Sequence, residues 1–495
     1  MDYPKPASFR TLDAFRAHLA ASNIPIGLAE LPPAGESALA KPLNGIGNRW
    51  AVLPMEGWDC GADGTPSEFT RRRWLRFASS GAKLIYGTEA AAVMHAGRSN
   101  TRQLLVADHT AGALKKLNAE MRRTHRERFG TDSDLRIGLQ LTHSGRFSHP
   151  DDDRVLDSKT AYAHPLLDKK FHNDASNVVT DDEVADIIAH FIRAAELAQD
   201  AGFDFVDVKL AHGYLGHEFL TAYDRPGPFG GSFENRTRFF REIAEGIAKR
   251  CPGLELSSRV SIFDIRPFVK GADGVGVPMD WSGPYPYAFG STGDGLTMDP
   301  DLKDTVALVR LMRSLGVKMI CATIGSPYYC VHIQRPAFYP VSDGYLPPHD
   351  PLRSVWLHIE AVRRLRELCP GLLVVGSGYT ALQEYLPHAA EYAVANGLTD
   401  FVGFGRMALS YPDFCADILA GRPLRRACIC RTFGDCTNAP RAGLISGCYP
   451  LDECYKNRPE AKTLAELKKA AKNNQYSLFS LPINRRFSPC YPKPF

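Results

Sequence analysis

Short apolar or β-branched runs, each followed by a stretch of helical period, recur from about residue 48 to about residue 420. They fall at 50–54, 83–88, 136–141, 205–209, 255–260, 319–323, 372–376 and 401–405, eight strands in all. Side chains that accept from orphan N–H groups mark helix starts between them. Thr65-Pro66-Ser67-Glu68 and Thr180-Asp181-Asp182-Glu183 read as capping boxes, and Asp350-Pro351 as a cap followed by a first-turn proline. Val184, Ile187, Ile188, Phe191, Ile192, Ala195 and Ala198 form one apolar stripe at helical spacing, a face that needs a sheet to cover it.

Strict alternation of strand and helix means parallel strands joined by crossovers. Eight such units predict a (β/α)8 TIM barrel, with an open doubly wound sheet as the other option. A barrel places its chemistry at the C-terminal strand ends. Gln140 between Leu139 and Leu141, Lys209 between Val208 and Leu210, and Arg259 before Val260 fit that demand, with apolar neighbours toward the helices and the polar residue inward. Long loops at 147–178 and 262–300 read as lids, specificity loops or surface decoration. The expected organisation is an N-terminal arm (1–44), a barrel (45–420) and a Cys-containing C-terminal extension (421–495), with no internal repeat or low-complexity tract.

Composition narrows the class. With 44% hydrophobic and 23% charged residues the chain is globular, and 59 basic against 55 acidic residues give no polyanion footprint, so runs such as Arg71-Arg72-Arg73 read as solvated helix faces. No eighteen-residue apolar run and no secretory start is readable, which places the protein in the cytoplasm. The expected partner is a small-molecule substrate, with neither nucleic acid nor membrane, and homo-oligomerisation is left open. Of twelve cysteines, Cys428, Cys430, Cys436, Cys448 and Cys454 crowd into one stretch and raise a metal question.

The fourth strand runs into Val206-Asp207-Val208-Lys209-Leu210-Ala211-His212-Gly213-Tyr214-Leu215 and on to Gly230-Gly231-Ser232-Phe233-Glu234-Asn235-Arg236. Asn48-Arg49 to Pro54-Met55, Gly138-Leu139-Gln140-Leu141-Thr142-His143-Ser144-Gly145-Arg146 and Gly403-Phe404-Gly405-Arg406 stand with it in order. This set resembles the signature of the old yellow enzyme family of FMN-dependent ene-reductases, in the branch with 2,4-dienoyl-CoA reductase and trimethylamine dehydrogenase, over about residues 45 to 420.

The resemblance implies FMN at the barrel mouth. Gly376-Ser377-Gly378 and Gly405-Arg406 offer backbone donors and a fixed cation to its phosphate, where barrels commonly bind one. Gln140 suits the edge of the pyrimidine ring, and Arg259 the negative charge of the reduced flavin; their alternative is a structural network in the barrel core. Pro54, Met55 and Ala90 match positions whose backbone lies against the flavin. Glu56 takes a place where relatives carry a Thr or Cys that tunes it, and a carboxylate aimed at the flavin would lower its potential. His143 matches a family histidine that touches flavin or substrate, or stands behind them. For chemistry the family pattern implies Lys209 and His212 on a substrate carbonyl and Tyr214 as proton donor. Lys209 departs from the usual histidine, and burial could leave it neutral.

The same branch holds a 4Fe–4S cluster on C-x2-C-x3-C-x11-C. Cys436 and Cys448 keep the last spacing, but Ile429 and Thr432 stand where the first two ligands would be, so a cluster is allowed by the thiolate count and not favoured, and no metal ligand is assigned. Zinc is weaker still, as C-x-C is tight for tetrahedral ligation, and inert or redox-sensitive thiols complete the set. No strand followed by G-x-G-x-x-G comes after the barrel, so electrons are expected from NAD(P)H at the flavin itself. The function expected is reduction of an activated C=C bond, by hydride from FMN N5 and a proton from Tyr214. The alternatives are flavin-dependent dehydrogenation of a carbocyclic or amine substrate, and a non-catalytic flavin or ligand sensor.

Overall fold

A computed structural model describes residues 3–341 and 344–474. Eight strands, β1 Trp50–Val52, β2 Leu84–Ile85, β3 Arg136–Thr142, β4 Phe205–Leu210, β5 Glu255–Ser261, β6 Met319–Thr323, β7 Leu373–Gly376 and β8 Phe401–Phe404, pair in sequence order, all parallel. β8 returns to β1 with Val402 opposite Trp50, which closes the barrel. The line of β2 is interrupted and resumes as Ala90–Ala92, with Ala90 opposite Gln140 on β3. Crossover helices α1 Glu68–Ala78, α2 Asp108–Phe129, α3 Asp181–Asp200, α4 Arg238–Arg250, α5 Lys303–Ser314, α6 Pro351–Leu368, α7 Leu386–Ala395 and α8 Phe414–Leu419 follow the strands. This is the (β/α)8 barrel the alternation predicts, and no described helix is long and apolar enough to cross a membrane.

Local chemistry explains the helix starts. Thr180 and Glu183 cap α3 reciprocally, and Asp350 accepts from Leu352 N–H ahead of Pro351. At α1 the box is shifted: Ser67, not Thr65, is the cap, and Thr70, not Glu68, answers it. Thr65 instead turns back onto Asp63. The α3 stripe is buried apart from Ile192, which is half-buried.

Period two sorts the strands into two cores. Leu139, Leu141, Val206 and Val208 face the helices. Leu53, Tyr86, Phe205, Met319, Val375 and Phe401 fill the barrel floor, where Phe205 presses on Gly138: a Cβ there would lie 2.2 Å from its ring. Along the inner face of β4 the order is then Phe205, Asp207, Lys209, from an apolar floor to a cationic mouth.

The arms and long loops pack where they bear on that mouth or brace the barrel. Phe15 of the N-terminal helix Leu12–Ala21 stacks on Tyr385, with ring centroids 4.1 Å apart. The loop of 262–300 forms a hairpin, Phe268–Lys270 with Gly276–Pro278, and its Tyr285 and Tyr287 pack on Tyr162, His164 and Leu166 of the other long loop. The C-terminal extension holds a small core of its own, Ala439, Ile445, Tyr449, Tyr455 and Leu464.

Candidate active site

A cavity of about 710 Å³ opens at the C-terminal ends of the strands, in the upper part of the range for cofactor and ligand sites. Pro54, Met55, Glu56, Ala90, Gln140, Lys209, His212, Tyr214, Arg259, Ser377, Gly378, Gly405 and Arg406 all line it, so the site residues expected from the sequence meet there, His143 and Gly376 apart. His143 is not among the lining residues. Its buried ring accepts from Gly145 N–H at 3.1 Å and lies under Gly97, with burial pulling it down to about 3.

The floor is set by Asp207. Its carboxylate accepts from Gln140 Nε2 at 2.5 Å and from the Arg259 backbone N–H, and its burial pushes it up to about 6. Gln140 therefore turns its amide nitrogen to the barrel interior and keeps its oxygen as an acceptor for the cavity. Arg259 reaches only the Pro54 carbonyl, at 3.5 Å, and its Nε is enclosed with no partner among the described residues.

On the side of β7 and β8 the backbone comes close to the cavity. Gly378 has φ of 90°, and a Cβ there would stand 2.8 Å from the His358 ring. The Ser377 hydroxyl is engaged by the Ala322 carbonyl and His358 Nδ1. Arg406 touches the Pro336 carbonyl through Nη2 at 3.0 Å, while its Nη1 is enclosed with no hydrogen-bond partner among the described residues. Among the described residues it makes no ion pair; burial first, then the Arg335 cation, pull it down to about 10. An enclosed cation without an anion fits a phosphate. Together with the Gln140 acceptor and the Arg259 cation, the residues present fit FMN: Arg406 would hold its phosphate, and Gln140 and Arg259 its pyrimidine edge.

On the opposite side stand the candidates for chemistry. Tyr214, 1% exposed, donates to Glu56 Oε1 and shares a contact of 3.0 Å with the Tyr328 hydroxyl. Lys209 Nζ donates to the same Oε1 at 3.3 Å and stands over the Tyr214 ring, 3.4 Å from its centroid. Ser99 Oγ holds the other carboxylate oxygen of Glu56 at 3.0 Å. The Glu56 side chain is therefore engaged by the catalytic candidates. Burial, opposed by Glu56, brings Lys209 down to about 8, so it remains a cation at neutral pH. Burial and then Glu56 push the Tyr214 phenol well up. His212, held in the left-handed region (φ 70°) between Ser261 Oγ on its N–H and Ser326 Oγ on its carbonyl, is kept neutral by burial and the Arg259 and Lys209 cations. Its Nε2 meets Gln334 Nε2 at 3.0 Å.

Several functional neighbours lie outside the sequence expectation. Asp207 was legible, two residues before Lys209 on the same inner face. Tyr328 lies in the loop after β6 and Gln334 ends the four-residue helix Val331–Gln334, too short to show a period. The C-terminal extension also reaches the cavity, through Cys436, Thr437, Arg441 and Cys448. Cys448 feels both Cys430 and Cys436, and burial pushes its thiol up. Among the described residues no group of His, Cys, Asp or Glu is arranged to hold a metal ion.

The family model of the NADH:flavin oxidoreductase / NADH oxidase family matches residues 42–278. A 12-oxophytodienoate reductase-like protein of Arabidopsis thaliana is 29% identical over 296 residues, 58% of this chain and 73% of its own length. An NADPH dehydrogenase of Geobacillus sp. (strain WCH70) is 28% identical over 371 residues, 74% of this chain and 88% of its own. A solved 2-naphthoyl-CoA reductase complex shares the fold at a TM-score of 0.59 and 18% identity, over 86% of this chain. The chain spans 58% of that protein's length. The matched segment runs from β1 through β5 and carries Glu56, Gln140, Lys209, His212, Tyr214 and Arg259 into one cavity that fits FMN; over this segment the chain is similar to the NADH:flavin oxidoreductase / NADH oxidase family, and it is an FMN-dependent oxidoreductase.

Proposed function

We propose that the protein uses NAD(P)H to reduce the activated C=C bond of an enone-type substrate. The observation that carries this reading is the Tyr214 hydroxyl, buried at the cavity wall beside the Lys209 cation and neutral His212. FMN, when bound, supplies the two-electron chemistry, taking reducing equivalents from NAD(P)H and passing them to a substrate carbon. Lys209 and His212 bind the carbonyl oxygen, the first as a full cation and the second as a neutral N–H donor, and so draw negative charge toward it. Tyr214 protonates the α-carbon, and its raised pKa keeps the phenol protonated until that carbon becomes basic. The relatives' names, an oxophytodienoate reductase-like protein and an NADPH dehydrogenase, support the same direction.

Anaerobic stopped-flow on the holoenzyme separates the two halves of the reaction. Tyr214→Phe is expected to slow alkene reduction on the order of 100-fold or more, and that loss is expected to exceed any loss in flavin reduction by NADPH. Equal losses in both halves, or a wild-type enzyme that no enone reoxidises, would remove the reading. A second reading, dehydrogenation of a carbocyclic or amine substrate, is favoured by one observation: Tyr214 donates to a carboxylate, as a relay for removing a substrate proton would. It predicts that such a substrate bleaches the flavin without NAD(P)H.

A further inference from the structure

We propose that Glu56 Oε1 is the proton bridge of this site, joining the Lys209 ammonium to the Tyr214 hydroxyl so that Lys209 is the reservoir that reprotonates Tyr214. The inference rests on the reading of Tyr214 as the proton donor and adds the route by which it is recharged.

The geometry leaves few other routes. Tyr214 is 1% exposed, and its hydroxyl has two partners, Glu56 Oε1 and the Tyr328 hydroxyl. Tyr328 is half-buried, and desolvation pushes its phenol up, so it is a poor acid. Lys209 Nζ lies over the ring face and makes no hydrogen bond to the phenol oxygen; the atom they share is Glu56 Oε1. Ser99 occupies Oε2, which orients Oε1 toward the pair. A bare tyrosinate here would be buried beside a carboxylate, an arrangement that burial and like charge both disfavour. Tyr214 can therefore give its proton away only as another arrives.

The step balances without a further reactant. The Tyr214 O–H bond breaks as a C–H bond forms on the substrate; Lys209 passes Nζ–H to Glu56 Oε1, and Glu56 passes a proton to the phenolate oxygen. The carboxylate is restored, Lys209 is left neutral, and solvent at the cavity mouth recharges it. Lys209, down to about 8 through burial, is acidic enough to give a proton and still charged at neutral pH. The charged groups around it are Glu56 and Asp207, which hold it up, and Arg259, which pulls it down; His212 beside it is neutral.

Two measurements on the holoenzyme test the bridge. In the first, single-turnover reduction of 2-cyclohexenone by pre-reduced enzyme is followed from about pH 6 to about pH 10. The wild type is expected to lose rate above about pH 8. Glu56→Gln, which accepts a hydrogen bond but takes no proton, is expected to slow the step on the order of tenfold or more and to move the alkaline limb down by about one pH unit. Glu56→Asp is expected to recover part of both. The second measurement is an NMR titration of ¹³Cε-labelled lysine, with Lys209 assigned through Lys209→Met. Its midpoint is expected to fall in Glu56→Gln. A wild-type profile flat across the range, a rate loss with an unmoved limb, or an unmoved Lys209 midpoint each overturns the bridge. Failure of the alkene reading is seen separately, as wild-type enzyme that turns over no enone at any pH.

Discussion

At the scale of single residues, Arg406 illustrates a charge placed for something the polypeptide does not supply. Its Nη1 is enclosed with no hydrogen-bond partner among the described residues, and the cation beside it is another arginine. Enclosing an unpaired guanidinium destabilises the protein by itself, whereas an anion bound there gains a charge-assisted pair. Arg406→Met is therefore expected to have opposite effects on two quantities. The flavin-free protein should melt at a higher temperature than wild type, and FMN should bind on the order of 30-fold more weakly, about 2 kcal/mol. Differential scanning fluorimetry of the flavin-free forms and fluorescence titration with FMN measure both; a variant that melts lower and binds FMN normally would show Arg406 to be a structural arginine. Residues of this kind were legible because polar side chains at strand ends break an apolar pattern, as Gln140, Lys209 and Arg259 do. The pairing of Glu56 with Lys209 and Tyr214 was not, because 153 and 158 positions separate the partners and only barrel closure brings them together.

At the scale of elements, the βα loops are fixed by buried polar clusters rather than by further secondary structure. Asp264, after β5, accepts from the Tyr329 hydroxyl, the Ile265 N–H and the Cys330 thiol, and so ties its loop to the one after β6 that carries Tyr328 and Gln334. Burial raises its carboxyl from 3.8 to about 6. A carboxyl raised in the folded state favours folding in its protonated form: that stability is fully present below about pH 4 and is lost as pH rises through about 6. The shift corresponds to about 3 kcal/mol across the window. Asp264→Asn removes the titration, so the stability difference, wild type minus variant, is expected to be larger near pH 4 than near pH 7. Urea denaturation at the two pH values decides it; a constant difference would mean that Asp264 does not titrate in this window. These loops escape sequence reading for a physical reason. Strands and helices repeat their pattern every 2 or 3.6 residues, as the α3 stripe does, but a cluster such as Asp264, Tyr329 and Cys330 satisfies its hydrogen bonds across the fold and leaves no period. Even the shifted cap of α1 follows from this: Thr65 and Ser67 both offer a hydroxyl at a plausible start, and Asp63 engages the first.

For the whole molecule, the question is what the C-terminal extension does for a barrel that already closes on itself. The extension has its own small core and meets the barrel at α1, where Asp452 accepts from both Arg72 nitrogens, at 2.8 and 2.9 Å, and stands 3.5 Å from Arg76. Arg458 packs over the Phe69 ring, 4.9 Å from its centroid. The docked extension brings Cys436, Arg441 and Cys448 to the same cavity as Glu56 and Arg406, so it walls the site as well as packing outside it. The arginine run at 71–73, read from sequence as a solvated face, is in fact bound: Arg72 to Asp452, Arg71 to Glu120, and Arg73 to Asp59 and Glu89. Asp452 is 6% exposed, so removing it leaves two arginines facing each other without their counter-charge. Asp452→Ala is then expected to weaken docking by about 3 kcal/mol. The effect should be local: hydrogen exchange is expected to rise through 435–470 while β1 to β8 stay protected, because the small core of the extension opens as a unit. Alkene reduction is expected to fall with it, chiefly through weaker substrate binding, since Tyr214, Lys209 and Glu56 belong to the barrel. Exchange that rises equally in the strands and in the extension would show instead that barrel and extension unfold together, with the Asp452 contacts part of a single cooperative core.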